Sequence, residues 1–171
     1  MRSFAFLAAL ALLPAAAAAQ PIGGNGGTGM AVLRPCATAQ LRASVLSDTS
    51  AMMHRELRIG LANVSERACA IDGYPAVRIV DERGNVQIAA ESFVTAPAPR
   101  LFTLAPGESA AFLLRIAHGD GAIEYRTAPK LAIVPPGGLS ALMLALDVPV
   151  APSVEVTAVL PAATWTARRA L

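Results

Sequence analysis

The chain has 171 residues and a formal net charge of +2, and 54% of its residues are hydrophobic, many of them alanine. Its 14 basic residues are scattered along the chain, and Lys130 is the only lysine. So small and dispersed a positive charge argues against nucleic acid or an anionic membrane as the main partner, because both demand clustered cations.

The first segment sets the compartment. Arg2 gives a short positive start, Phe4 to Leu13 form an apolar run, Pro14 breaks it, and Ala17-Ala18-Ala19 offers small residues for a signal peptidase. That order reads as a secretory signal peptide over residues 1–19. A membrane anchor needs about 20 apolar residues, and Pro14 interrupts the run well before that. The mature chain is expected to begin at Gln20, and loss of Arg2 leaves a charge of +1. The first cysteine is Cys36, away from the cleavage point, which argues against a lipid anchor there. No integral membrane segment is expected after cleavage, so the protein reads as exported, periplasmic or extracellular.

Residues 20–35 form a glycine-rich leader whose Gly23-Gly24-Asn25-Gly26-Gly27-Thr28-Gly29 run reads as a flexible tether. It is not a phosphate-cradling loop, since no Gly-Lys-Ser/Thr follows it. About 150 mature residues suffice for one domain with a real core. That domain is placed at residues 36–160, followed by a C-terminal tail at 161–171.

Period-two alternation then recurs between turn signals. Leu41 to Leu46 is a short first candidate. Arg55 to Leu61 alternates cleanly, with Leu57, Ile59 and Leu61 on one face and Glu56 and Arg58 on the other. Val77 and Ile79 continue the pattern up to the turn Asp81-Glu82-Arg83-Gly84-Asn85, which leads into Val86 and Ile88. The Leu104-Ala105-Pro106-Gly107-Glu108-Ser109 turn feeds a strand that sends Phe112, Leu114 and Ile116 inward. Leu131 and Ile133 begin the next, ended by Pro135-Pro136-Gly137-Gly138. Leu142, Leu144, Leu146 and Val148 alternate again, with an apolar helix over 139–147 as the competing reading. Val154, Val156 and Ala158 close the series. Seven to eight short strands with Pro- and Gly-bearing turns predict an all-β fold, an immunoglobulin-like β-sandwich of antiparallel strands.

Cys36 and Cys69 are the only cysteines, and an oxidising compartment favours pairing them. Cys36 precedes the first strand and Cys69 follows the second. If those strands are antiparallel neighbours, both cysteines fall at one end of the sandwich, as a disulfide requires. No Cys-x-x-Cys spacing marks a redox-active pair, so the bond reads as structural.

One series of residues carries a resemblance. Cys36-Ala-Thr-Ala-Gln-Leu41 opens the domain, and Leu61-Ala-Asn63-Val-Ser65 is followed by Cys69-Ala-Ile-Asp-Gly73-Tyr74-Pro75. Val80-Asp81 with Gly84, Leu104-Ala-Pro106-Gly107 and Val134-Pro135-Pro136-Gly137 come after. This order resembles the bacterial exported domain of unknown function 4232 over about residues 36–160, and its most specific piece is the Asn63…Cys69…Gly73-Tyr74-Pro75 run. The resemblance implies secretion, a β-sandwich and no assigned activity. Family members often carry a second cysteine pair towards the C-terminus, whereas this chain has none after Cys69. Each shared residue also has a structural reading: Gly73 and Pro75 shape a turn, Tyr74 buries its ring, and Asn63 bonds to nearby backbone.

No catalytic constellation stands out. The two histidines, His54 and His118, belong to no nucleophile elbow or zinc-protease motif. His118 sits in a Gly- and Asp-containing turn, and Glu91, Glu108, Asp120 and Glu124 are too dispersed for a carboxylate pair. The chain is expected to be non-enzymatic and to have no cofactor. The competing reading is copper: Met52-Met53-His54 is a soft-ligand cluster suited to Cu(I), to which Met30, Met143 and His118 could add. On a strand Met52 and His54 would share a face and Met53 would not. Trp165 beside Arg168 and Arg169 reads as a docking peptide, or as a segment that folds back over the sandwich edge or simply frays, and we favour the structural account. The expected partner is an envelope protein or a glycan.

Overall fold

The computed structural model describes residues 33–51, 54–92, 97–117, 127–150 and 153–166. The signal segment, most of the leader, Met30, Met52, Met53, His118 and residues 167–171 lie outside them.

In chain order the strands are Leu41–Ala51 (β1), His54–Asn63 (β2), Cys69–Ile71 (β3), Ala76–Val80 (β4), Val86–Ala89 (β5), Glu91–Ser92 (β6), Phe102–Leu104 (β7), Ser109–Ala117 (β8), Thr127–Val134 (β9), Leu142–Pro149 (β10), Val154–Val156 (β11) and Leu160–Pro161 (β12). One short helix, Ala162–Thr166 (α1), follows. The fold is all-β, as expected. The eight alternating runs correspond to β1, β2, β4, β5, β8, β9, β10 and β11. The other four strands have three residues or fewer, and no alternating run extends past them as Val154, Val156 and Ala158 extend past β11.

Two larger sheets carry the architecture. One has the order β1-β2-β8-β11-β6, with β12 also pairing β8, and the other runs β10-β9-β4-β5; β3 and β7 form a separate pair. Pairing is antiparallel apart from β11 with β6 and a parallel bridge between Pro35 and Ala70. Alternation explains the layering. Leu57, Ile59 and Leu61 of β2 and Phe112, Leu114 and Ile116 of β8 are fully buried on the inner face of the first sheet. They share one apolar cluster with Val77, Ile79, Leu131 and Ile133 of the second sheet. Water excluded from that shared face is the main driving force for bringing the sheets together.

β1 is longer than its sequence pattern suggests, and a bulge is the reason. Val45 pairs with Ile59 but Ser47 pairs with Arg58, so Leu46 is an extra residue. A bulge of this kind resets the alternation, and beyond it the strand is polar: Ser47, Asp48, Thr49 and Ser50. The extra side chain turns outward over Gly60, where an added Cβ would lie 3.0 Å from Leu46. A side chain at position 60 would therefore have to push the Leu46 side chain aside by a few tenths of an ångström.

The helical alternative at 139–147 does not hold. Leu142, Leu144 and Leu146 of β10 are half-buried, while Met143, Ala145 and Asp147 are exposed. That two-residue period is a strand's.

The chain remains part of the folded body as far as Thr166. The indole N–H of Trp165 donates to the carbonyl of Ala111 at 2.9 Å, and the residue is only 6% exposed. With Leu160, it covers Ala111 on the outward face of β8, with Leu113 packed alongside. The indole thus buries its apolar body and keeps its one donor satisfied.

Candidate functional site

Four places on the domain come into question, and the first is the disulfide end. Leu41 pairs with Asn63, so the start of β1 meets the end of β2. Cys36 and Cys69 are bonded there with a Cα separation of 4.8 Å, and both are buried. The Cys36 N–H also donates to Ala70 O and the Ala70 N–H to Arg34 O, each at 2.9 Å, so the incoming chain lies along β3.

Asn63, 1% exposed, is the polar centre of this end. Its Nδ2 donates to the carbonyls of Arg67 at 2.8 Å and Leu104 at 3.0 Å, and its Oδ1 accepts from Ser65 N–H at 3.0 Å and the Ser65 hydroxyl at 2.7 Å. The backbone of Asn63 also pairs with Glu108 O and Gly107 N. Gly73, with φ +112°, takes a conformation that side-chain-bearing residues avoid, and its carbonyl accepts Val159 N–H. The Asn63…Cys69…Gly73 run therefore builds the fold's end and leaves no polar group of Asn63 spare for a ligand.

The opposite end carries His54. It opens β2, paired with Ala51 on one side and with Ala117 on the other, and it is half-buried. Met52 and Met53 lie outside the described residues, as does His118, which follows Ala117 in the chain. Among the described residues no group of three or more His, Cys, Asp or Glu could hold a metal ion. Beside His54, Arg55 grips Asp48 with two hydrogen bonds, Nε to Oδ1 at 2.9 Å and Nη2 to Oδ2 at 2.7 Å. Its Nη1 donates to Asp147 O on β10 at 2.9 Å, which ties the two sheets together. No spacing rule announces this clamp, because it depends on how β10 lies against the β1–β2 hairpin.

The hydrogen bonds from Arg55 hold the Asp48 carboxyl below its usual pKa. A lowered native pKa stabilises the fold above the ordinary carboxylate pKa, and that contribution disappears as pH falls below about 4. Asp48 is 40% exposed, so the effect is small. Asp48→Asn is expected to unfold at lower urea than wild type at pH 6, with the gap closing by about pH 3.

The third place is the flank formed by β1 and β10, which end their respective sheets. On the other flank the chain passes directly from β5 to β6 through Ala90, whose N–H donates to Val77 O at 2.9 Å. The β1–β10 flank has no such covalent crossing. It is held at its two ends, by Thr38 Oγ1 donating to Ser140 O at 2.9 Å and by Arg55 donating to Asp147 O.

The fourth is a groove of about 310 Å³ between β7 and the start of α1, with Glu108 at its rim. Nothing in the sequence pattern pointed to it, because its two walls, β7 with Glu108 and Ser109 and the junction of β12 with α1, are far apart in the chain.

The family model described as Domain of unknown function (DUF4232) matches residues 36–166. The chain belongs to that family. The match ends at Thr166, so it takes in β12 and α1 together with the buried Trp165. No curated protein and no solved structure matches the chain. For this DUF4232 domain, function therefore has to be read from its surfaces. No helix among the described residues is long and apolar enough to cross a membrane.

Proposed function

We propose that this is an exported, non-enzymatic binding domain that takes up an extended segment of an envelope protein along β10. The observation that carries the reading is the asymmetry of the two flanks. One is closed by the crossing at Ala90, whereas the other presents an 11-residue and an 8-residue edge strand. An edge strand offers unpaired backbone groups to another chain, and proteins usually blunt such edges with bulges, charges or proline. β1 is blunted, by the bulge at Leu46 and by Arg42 and Asp48. β10 keeps a regular stretch from Leu142 to Ala145 before its own register shift. That stretch carries no charge, and Met143 on it is 55% exposed. Leu139, in the loop leading into β10, is fully exposed. Main-chain pairing along β10 would supply affinity, and Met143 with Ala145 would supply selectivity.

A photo-crosslinker placed at Met143 tests this, with one at Val86 on the short β5 edge as the control. The expected result is a protein adduct at position 143, absent at 86 and abolished by Ala145→Lys. A carbohydrate adduct, or equal yields at both positions, would overturn the reading.

Copper is the second reading, with Met52 and His54 as ligands. Its support is the register that sets Ala117, the neighbour of His118, opposite His54. Native mass spectrometry of protein purified without chelator would then show a copper adduct that His54→Ala removes.

A further inference from the structure

The two sheets bury their inner faces unequally. Leu131 and Ile133 on β9 are fully buried, as are Ile59 and Leu61 on β2. Their neighbours one strand further out are not. Leu142 pairs with Ile133 and Leu144 with Leu131, yet both leucines are only half-buried, as is Leu146. On β1, Ala43 pairs with Leu61 and Val45 with Ile59; Ala43 is half-buried and Val45 is 36% exposed. All these side chains have core parity, and they form an apolar seam along the β1–β10 flank.

The seam is bounded. Thr38 holds the Ser140 carbonyl at one end and Arg55 holds the Asp147 carbonyl at the other. Between them β10 is regular from Leu142 to Ala145. A strand added there alternates in step with β10, so every second side chain lies beside Leu142 or Leu144. At about 3.4 Å per residue, the regular stretch gives room for two such side chains, about 7 Å apart. Stacked sheets lie about 10 Å apart, a gap that one apolar layer fills. The end near Arg55 differs in charge. The hydrogen-bonded Asp48 raises the Arg55 pKa and the charge of Asp147 adds to it, and two carboxylates against one guanidinium leave that end acidic.

We infer that the segment β10 takes up is uncharged at its centre and carries two apolar side chains two residues apart, which cover Leu142 and Leu144, with a basic residue towards Asp147. The inference rests on the β10 reading and names the chemistry of its partner. Main-chain pairing accepts almost any sequence without proline. The seam adds the choice, because apolar side chains gain burial there and charged ones lose water. Met143 and Ala145 meet the partner's other face.

The test selects random nonapeptides on the full chain and crosslinks the bound ones from position 143. The expected consensus is two apolar residues separated by one residue, with Lys or Arg to one side. Truncating either apolar residue to alanine should weaken binding about 10- to 20-fold, the range for losing roughly two buried methylene groups. Asp147→Asn should remove the basic preference and keep the apolar spacing. Leu144→Ala should shift the apolar choice towards Phe and Trp, since the space it leaves has to be filled. Should that variant fail to fold, Val45→Ser probes the opposite wall at an exposed position and should weaken the consensus peptide about 3- to 5-fold. Peptides that crosslink from position 143 without the apolar spacing would overturn the inference and leave the β10 reading standing. Bound peptides that do not crosslink there would overturn both. A consensus that keeps its basic residue in Asp147→Asn, or its apolar residues unchanged in Leu144→Ala, would overturn the inference, as would unchanged affinity in Val45→Ser. An adduct between two copies of the chain would assign the edge to self-association and overturn it as well.

Discussion

Replacing Cys36 and Cys69 together by alanine is expected to lower stability by about 3–4 kcal/mol. The pair closes a loop with a sequence separation of 33, and a crosslink of that span removes substantial freedom from the unfolded chain. The location adds a native-state component. β3 has three residues and, among the described residues, pairs with β7 and, through Pro35, with the incoming chain. Without the bond, that small layer is held by a few hydrogen bonds and by the buried side chains of Ile71 and Leu104. Amides of Cys69–Ile71 and Phe102–Leu104 should therefore lose protection before those of β2 and β8 do. Urea unfolding measures the first effect and hydrogen exchange the second. Both sulfurs are buried, so reductant without denaturant should act on the native protein slowly. A loss under about 1 kcal/mol would mean that the unfolded chain is already compact across this loop.

The same end of the molecule shows which features the sequence made readable. The all-β class, the eight alternating strands and the cysteine pairing followed from periodicity and compartment. These are local signals, or signals between neighbouring strands, and the antiparallel β1–β2 pair needed only one assumption. β1 was cut short because the bulge at Leu46 changes which parity faces the core, and because half of an edge strand is polar. β3 and β7 were not legible, since each has three residues and, unlike at β11, no alternating run continues beyond the strand. Trp165 offered three readings in the sequence, docking, folding back or fraying, and its burial with the Ala111 carbonyl at 2.9 Å from its indole nitrogen shows that it folds back. The surfaces were legible least. The open flank follows from the order of strands in two sheets, and the groove from the packing of β12 and α1 beside β7. Both arise from strand pairings far apart in sequence, which no spacing rule reports.

Asn63 is where those distant pairings converge, and Asn63→Leu is expected to cost about 3 kcal/mol. The two side chains are close in size, so packing changes little and the effect isolates hydrogen bonding. The buried carbonyl of Leu104 loses its Nδ2 donor and the part-buried Ser65 N–H loses its acceptor, whereas Arg67 O keeps the Ser65 hydroxyl. Leaving such buried groups unpaired costs more than each bond contributed, typically about 1–3 kcal/mol per group. Asn63→Asp gives a sharper comparison. A carboxylate keeps the Ser65 acceptor but turns a second negative oxygen on the two carbonyls that Nδ2 served. Burial and those carbonyls both raise the pKa of the introduced carboxyl, so the penalty is present at neutral pH and is relieved as pH falls and the acid gains a proton to donate. Asn63→Leu has no such group, and its deficit should not vary with pH in this way. Urea midpoints at pH 7 and pH 5 separate the two variants, and parallel behaviour would refute a donor role for Nδ2. Because the backbone of Asn63 also holds Gly107 and Glu108, either variant should loosen the turn that places Glu108 at the groove.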